Sequence, residues 1–225
     1  MNPAIIDFLF DNILILAETD AAVDTTNQTT YTFSTKSFGA ADANRQIIVS
    51  IAGFHSADAR SISTVTIGGV SATINVQETH TISGSRQSGI AIANVPTGTT
   101  GNVVVTWDNT MTSCAIVVYR TVGASTTAHD TATDPGAASG VVTGTLDIPS
   151  GGIAVAVVAW KGSASPPMTT WTVATETEDT TVENNETYSS ATHNVSGSGI
   201  TITATASVTL DQNGAALSIA SYTPG

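Results

Sequence analysis

Polar and apolar positions alternate with period two along most of the chain. In "NVVVTW" (102–107), Val103, Val105 and Trp107 share one face, as a strand with one buried side requires. "GITITATA" (199–206) places Ile200, Ile202 and Ala204 on one face in the same way. "IIVSIAGF" (47–54) is apolar on both faces, with Ile47, Val49 and Ile51 on one side and Ile48 on the other. That pattern marks a central strand covered twice over. Runs at 29–35, 62–70, 71–78, 140–149, 169–177 and 179–184 read as further strands from their β-branched content. "IGGV", "VPTGTTG", "IPSGG", "SGSG" and "DQNG" punctuate them as turns. The pattern predicts an all-β chain of about fourteen strands, arranged as an antiparallel jelly-roll-like β-sandwich.

The programme of strands runs twice. "RQIIVSIAGF" (45–54) matches "GGIAVAVVAW" (151–160), and "ISTVTIGGV" (62–70) matches "TTWTVATET" (169–177). "SGIAIANV" (88–95) corresponds to "TYSSATHNV" (187–195), and "GNVVVTW" (101–107) to "SGITITATA" (198–206). "ILILAETDAAVDTT" (13–26) resembles "AIVVYRTVGASTT" (115–127) and "ALSIASYTPG" (216–225). The expected organisation is therefore two similar halves, 13–122 and 123–225, side by side or merged into one sandwich, with residues 1–12 as a short segment outside the repeat.

That segment opens a stretch with eleven apolar residues in its first sixteen. A secretory signal would begin with a positive region, but no Lys or Arg precedes Lys36. A bilayer span needs about 20 mostly apolar residues, and Asp7, Asp11 and Glu18 interrupt this run. Asn2 as N-cap and Pro3 at the first helical position suit a short amphipathic helix, although an extended form is equally open. Ile5, Ile6, Phe8, Leu9 and Phe10 are the residues expected to dock onto a partner.

Composition narrows the functions. The chain has 225 residues and a net charge of -12, from 18 acids against six cations. Binding to nucleic acid requires Lys and Arg clusters that release counterions from phosphates, and none exists here. A single cysteine, Cys114, forbids an intrachain disulfide, and its apolar run "SCAIVVYRTV" reads as core. There is no nucleophile elbow, zinc helix or P-loop, and no metal or cofactor is expected. His55, His80, His129 and His193 lie far apart, in contexts that read as surface. In "ETEDTTVENNE", Glu176 and Glu178 share a strand face and read as a solvated edge. A glycosidase would need paired carboxylates in a cleft, for which Glu176 and Glu183 are the available pair. Trp160 and Trp171 flank "KGSASPPMTT" and are the candidates for a sugar-stacking rim, with a host-surface glycan as ligand.

The stretch "TTYTFSTKSFGAADANRQIIVSIAGF…SISTVTIGGVSATINVQ…VPTGTTGNVVVTW" resembles virion structural proteins of tailed bacteriophages, of the head-decoration, head-fibre or tail-appendage kinds. The resemblance covers about residues 13–225. It lies in β-rich texture and strand order and carries no catalytic motif. It implies a non-enzymatic jelly-roll building block that forms a homo-oligomer and contacts other virion proteins. It would reside in the virion, after assembly in the host cytoplasm, without nucleic-acid binding or membrane insertion.

Overall fold

The computed structural model describes residues 13–56, 59–80, 85–136, 140–183 and 185–225. Among them are seventeen strands and no helix. The first nine are β1 (Ala17–Asp24), β2 (Gln28–Ser37), β3 (Arg45–His55), β4 (Ile62–Ile67), β5 (Val70–Ser71), β6 (Thr73–His80), β7 (Ser85–Asn94), β8 (Thr100–Met111) and β9 (Ser113–Val122). They are followed by β10 (Asp130–Asp134), β11 (Val141–Ile148), β12 (Ile153–Gly162), β13 (Thr169–Thr172), β14 (Thr175–Thr181), β15 (Glu186–His193), β16 (Gly197–Ala206) and β17 (Leu210–Tyr222).

The pairing is that of a jelly roll. β1 pairs with β9, β2 with β8, β3 with β7 and β4 with β5, all antiparallel. One long two-stranded ribbon of four such pairs has thus rolled up, giving sheets ordered β1-β9-β3-β7-β6 and β2-β8-β4-β5. The second half repeats the order as β10-β17-β12-β15-β14 and β11-β16-β13. Its fourth pair is open, because the chain crosses to the other sheet after β13.

The four sheets stack in four layers with three cores between them. Odd residues of β3 (Ile47, Val49, Ile51) pack against Tyr31, Val65, Val105 and Trp107 of the first outer sheet. Even residues (Ile48, Ala52, Phe54) face Val155, Val157, Ala159 and Tyr222 of the second half. The third core joins Ala156, Val158 and Trp160 to Val142, Leu146 and Ile202. The two β3-type strands are therefore buried on both faces, as the pattern at 47–54 predicts. Gly53 permits the first core to close, because a Cβ there would lie 2.5 Å from Trp107 Cη2.

The two inner sheets pack face to face across the central core. Ser88 on β7 hydrogen-bonds Ser218 on β17 at 2.8 Å, while Ser190 on β15 donates to Ser50 on β3 at 3.0 Å. Tyr119 on β9 donates to Ser190 at 2.7 Å and lies 2.6 Å from the Thr177 hydroxyl on β14. Its counterpart Tyr222 on β17 accepts from Asn75 on β6 at 3.2 Å. Asn75 and Thr177 each occupy a register shift in their strands, where an extra residue re-aims the side chain.

The first and last strands of the repeat differ from the sequence expectation. The stretch from Ile13 is not a copy of 115–127. Its strand begins at Ala17 and pairs with β9 as its neighbour. The copy of β1 is β10, and the shared signature is an aspartate pair four residues apart, "DAAVD" (20–24) and "DTATD" (130–134). Asp20 accepts the Ser37 N–H of β2 at 2.8 Å, and Asp130 accepts the Asp147 N–H of β11 at 2.8 Å. Asp24 and Asp134 each accept the N–H two residues on, at 2.9 and 2.8 Å. Asp134 also accepts the Thr143 N–H at 2.9 Å. These carboxylates occupy donors on the margins of the outer sheets, where another chain would otherwise pair.

Candidate functional site

The expected docking residues Ile5, Ile6, Phe8, Leu9 and Phe10 lie outside the described residues, as does the expected helix. The described chain begins at the root of that segment. Residues 13–16 precede β1 and belong to no strand. The Leu14 N–H donates to the Gly151 carbonyl at 2.8 Å, and the Leu14 side chain is buried in the central core. Ile13 and Ile15 point the other way and are 72% and 77% exposed. This is the alternation of an extended segment, with apolar residues on the solvent side too. Beneath it runs a groove of about 320 Å³, lined by Leu14, Leu16, Ile153, Thr192 and His193 among others. A shallower hollow of about 230 Å³ lies between Ile13, Ile15, Arg120 and Val122.

The groove lies where the two halves differ. In the second half Ala124 stands six residues before Asp130, as Leu14 stands six before Asp20, and both are buried in the central core. There Asn75 ties the linker down, donating to the Thr126 carbonyl and accepting the Ala128 N–H, both at 3.3 Å. The carboxyl-terminal residues close over it through an Ala124–Pro224 bridge and a 3.0 Å bond from the Ser125 N–H to the Thr223 carbonyl. Thr177, in the place of Asn75, has only a hydroxyl, which donates to the Ser190 carbonyl at 3.0 Å. Nothing comparable clamps residues 13–16 among the described contacts.

The structure corrects the tryptophan reading. Trp160 is fully buried in the third core, with its indole N–H donating to Thr169 Oγ1 at 3.0 Å. Trp171 is half-buried against the same core and donates to Ser189 Oγ at 2.8 Å. A sugar platform needs an open ring face, and the two indoles do not make a rim together. Their positions at strand ends gave no information about which face they occupy.

The other chemistry-bearing groups serve the scaffold. Cys114 is a buried free thiol whose pKa burial pushes up. His80 is not on the surface but buried, its Nδ1 against the Pro135 carbonyl and its ring filling the space beside Gly214. Arg45 is buried and donates to the carbonyls of Val95 (2.7 Å), Thr97 (2.8 Å) and Gly39 (3.1 Å). Arg86 on β7 reaches the Glu186 carboxylate from the other half at 3.6 Å, and Lys161, its neighbour on the paired strand β12, lies 3.7 Å away. Burial raises the Glu186 pKa against the opposing pull of both cations. Glu176 sits on β14 and Glu183 beyond the end of that strand. At about 3.3 Å per residue they are too far apart to share a bond to be cleaved. Burial and the neighbouring Asp179 and Glu178 raise the Glu176 pKa. Among the described residues no group of three or more His, Cys, Asp or Glu could hold a metal ion, and no helix is long and apolar enough to cross a membrane.

Comparison with protein-family models, with curated proteins and with solved structures finds no match to this chain.

Proposed function

We propose that this chain is a non-enzymatic structural component of a bacteriophage virion, a capsid decoration or a head-fibre or tail appendage, docked through residues 1–12. The observation that carries this reading is the exposed apolar root at Ile13 and Ile15. It continues the apolar character of Ile5, Ile6, Phe8, Leu9 and Phe10 onto the surface of the sandwich. Leaving such side chains in water forgoes about 1.5–3 kcal/mol each, which a partner surface would recover. Two jelly rolls fused across a buried interface make a stiff body on which to mount such a handle. The Thr pairs that cover the outer sheets, Thr30–Thr106 at 3.3 Å and Thr145–Thr201 at 3.0 Å, suit a surface that remains solvated.

The test supplies tagged chain, whole or lacking residues 2–12, during lytic growth of the source phage. Purified particles are then quantified for the tag by mass spectrometry. The truncated chain is expected to keep its β-sheet circular dichroism and cooperative melting but to be missing from particles. Truncated chain at full occupancy would refute the reading.

A further inference from the structure

We infer that Arg86 and Glu186 form a charge lock on the central interface, which makes each half of the chain pair with the other half and excludes the pairing of two like halves from different chains.

The two residues hold the same position in their halves. Val76 on β6 pairs with Ile90 on β7, and Glu178 on β14 pairs with Ser190 on β15. Each pair follows directly on a register shift, the one that carries Asn75 or Thr177. Counting back four residues from Ile90 and from Ser190 gives Arg86 and Glu186. Their neighbours on the next strand, Phe54 on β3 and Lys161 on β12, are equivalent in the same way. Ile90 and Tyr188 lie in the central core, so by period two Arg86 and Glu186 face it as well. There Arg86 Nη2 lies 3.6 Å from Glu186 Oε1.

Equivalent positions therefore meet each other. A first half set in the place of the second would bring a guanidinium to where the carboxylate stands. A second half set in the place of the first would oppose two carboxylates.

The rest of this interface does not choose between partners. One half supplies Ile48, Ala52, Ile90 and Ile92, and the other supplies Val155, Val157 and Ala159. Cores tolerate exchange among aliphatic side chains of similar volume, so packing alone leaves like pairs open. Repeated domains on one chain are prone to that kind of misassembly.

Burial gives the charges their power to discriminate. The Arg86 side chain is fully buried and that of Glu186 is 8% exposed. A buried ion pair adds little net stability over apolar groups of similar volume, whereas an uncompensated buried charge is strongly destabilising. The pair thus contributes through what it excludes. Arg86 is also held in place. Its Nη1 donates to the Ser85 carbonyl at 2.8 Å, and the guanidinium lies 5.8 Å from the centre of the Phe54 ring. Glu78, which pairs with Ser88, accepts the Thr79 N–H at 2.8 Å. Lys161, 3.7 Å from Glu186, softens the exclusion between second halves. Excluding one like pair is enough, because second halves that paired would leave two first halves with uncovered inner sheets.

The experiment refolds the full chain from urea across a concentration series. Size-exclusion chromatography with light scattering reads the mass, beside the urea midpoint. Every variant keeps residues 1–16, so the handle contributes equally to each and the comparison does not depend on the virion reading. Arg86→Met/Glu186→Leu removes both charges at similar volume. It is expected to hold the urea midpoint at or above that of wild type. The fraction refolding into dimers and larger species is expected to rise about tenfold. Arg86→Glu and Glu186→Arg, each alone, oppose like charges within the chain and are expected to refold poorly. Refolded together in equal amounts they are expected to recover as soluble mixed assemblies, with the two chains in equal number by native mass spectrometry. The first half of each then matches the second half of the other. An apolar variant that refolds with no more association than wild type would overturn the inference. A mixture of the two reversals that recovers no more folded protein than either alone would do the same.

Discussion

All four tyrosines of the chain, Tyr31, Tyr119, Tyr188 and Tyr222, are buried, which makes alkaline unfolding a direct probe of the layered architecture. Tyr31 sits in the first core and donates to the carbonyls of Thr26 and Met111 at 2.8 and 2.9 Å. Tyr119, Tyr188 and Tyr222 belong to the central core. Burial raises the pKa of every one, that of Tyr119 to about 12, from an ordinary value of 10.0. The sign follows from proton binding. The native state holds these protons more tightly than the unfolded chain, so stability is fully present below pH 10 and falls as pH rises toward the folded values. Each tyrosine that ionises only on unfolding removes about 1.4 kcal/mol per pH unit, and four together remove about 5.5. A domain with about 5–15 kcal/mol of stability should therefore unfold cooperatively one to three pH units above 10. The assay follows phenolate absorbance at 295 nm alongside far-ultraviolet circular dichroism. The two curves should coincide, with no phenolate signal while the sheets are intact. Tyr119→Phe should lower the steepness by about a quarter. A tyrosine titrating near pH 10 with the dichroism unchanged would refute the burial of that ring.

Two further outcomes follow from the backbone. Replacing Asp130 and Asp134 together by Ala strips the acceptors from two β11 donors and should cost about 1–3 kcal/mol in urea unfolding. It should also promote thioflavin-positive aggregation from the exposed margin, and soluble variant at wild-type stability would count against the guarding role. Val173 joins β13 to β14 with φ of 76°, a conformation unfavourable for a β-branched residue. Val173→Gly should raise stability by about 1 kcal/mol on calorimetry, and a destabilised variant would contradict that account.

The fold class was legible because period-two alternation is a strong signal where one face is wet, as in β8, β11 and β16. Phase was less legible where both faces are dry. The match of 45–54 to 151–160 sets Phe54 opposite Trp160, yet Phe54 faces the central core and Trp160 the third. A one-residue slip exchanges the two faces, and a strand apolar on both sides carries nothing that fixes its phase. Seventeen strands appear where about fourteen were expected. β5 has two residues, β10 is the polar "DTATD", and 169–177 breaks at Val173 into β13 and β14. The aspartate spacing shared by β1 and β10 was available in the sequence and would have set the repeat in frame. The exposure of Ile13 and Ile15 was not available, because "ILIL" reads as strand and nothing local shows that pairing starts only at Ala17.

The repeat also indicates where in the molecule to look for function. A fused pair of like domains inherits the same structural devices twice, and these devices recur here. The aspartates of β1 and β10 occupy sheet margins, Tyr119 and Tyr222 reach into the opposite half, and Ser88 and Ser190 cross the central interface. A feature present in both copies is accounted for by folding alone, since it closes each sandwich or joins the two halves. A feature present in one copy has no such explanation. By that criterion the end of the molecule at Ala124 is the finished version, with its linker clamped by Asn75 and roofed by the carboxyl terminus. Among the described residues, the end at Leu14 keeps the anchor and shows neither the clamp nor the roof. The unfinished end is also where the apolar side chains of Ile13 and Ile15 stand 72% and 77% exposed, which is where the docking reading puts the partner.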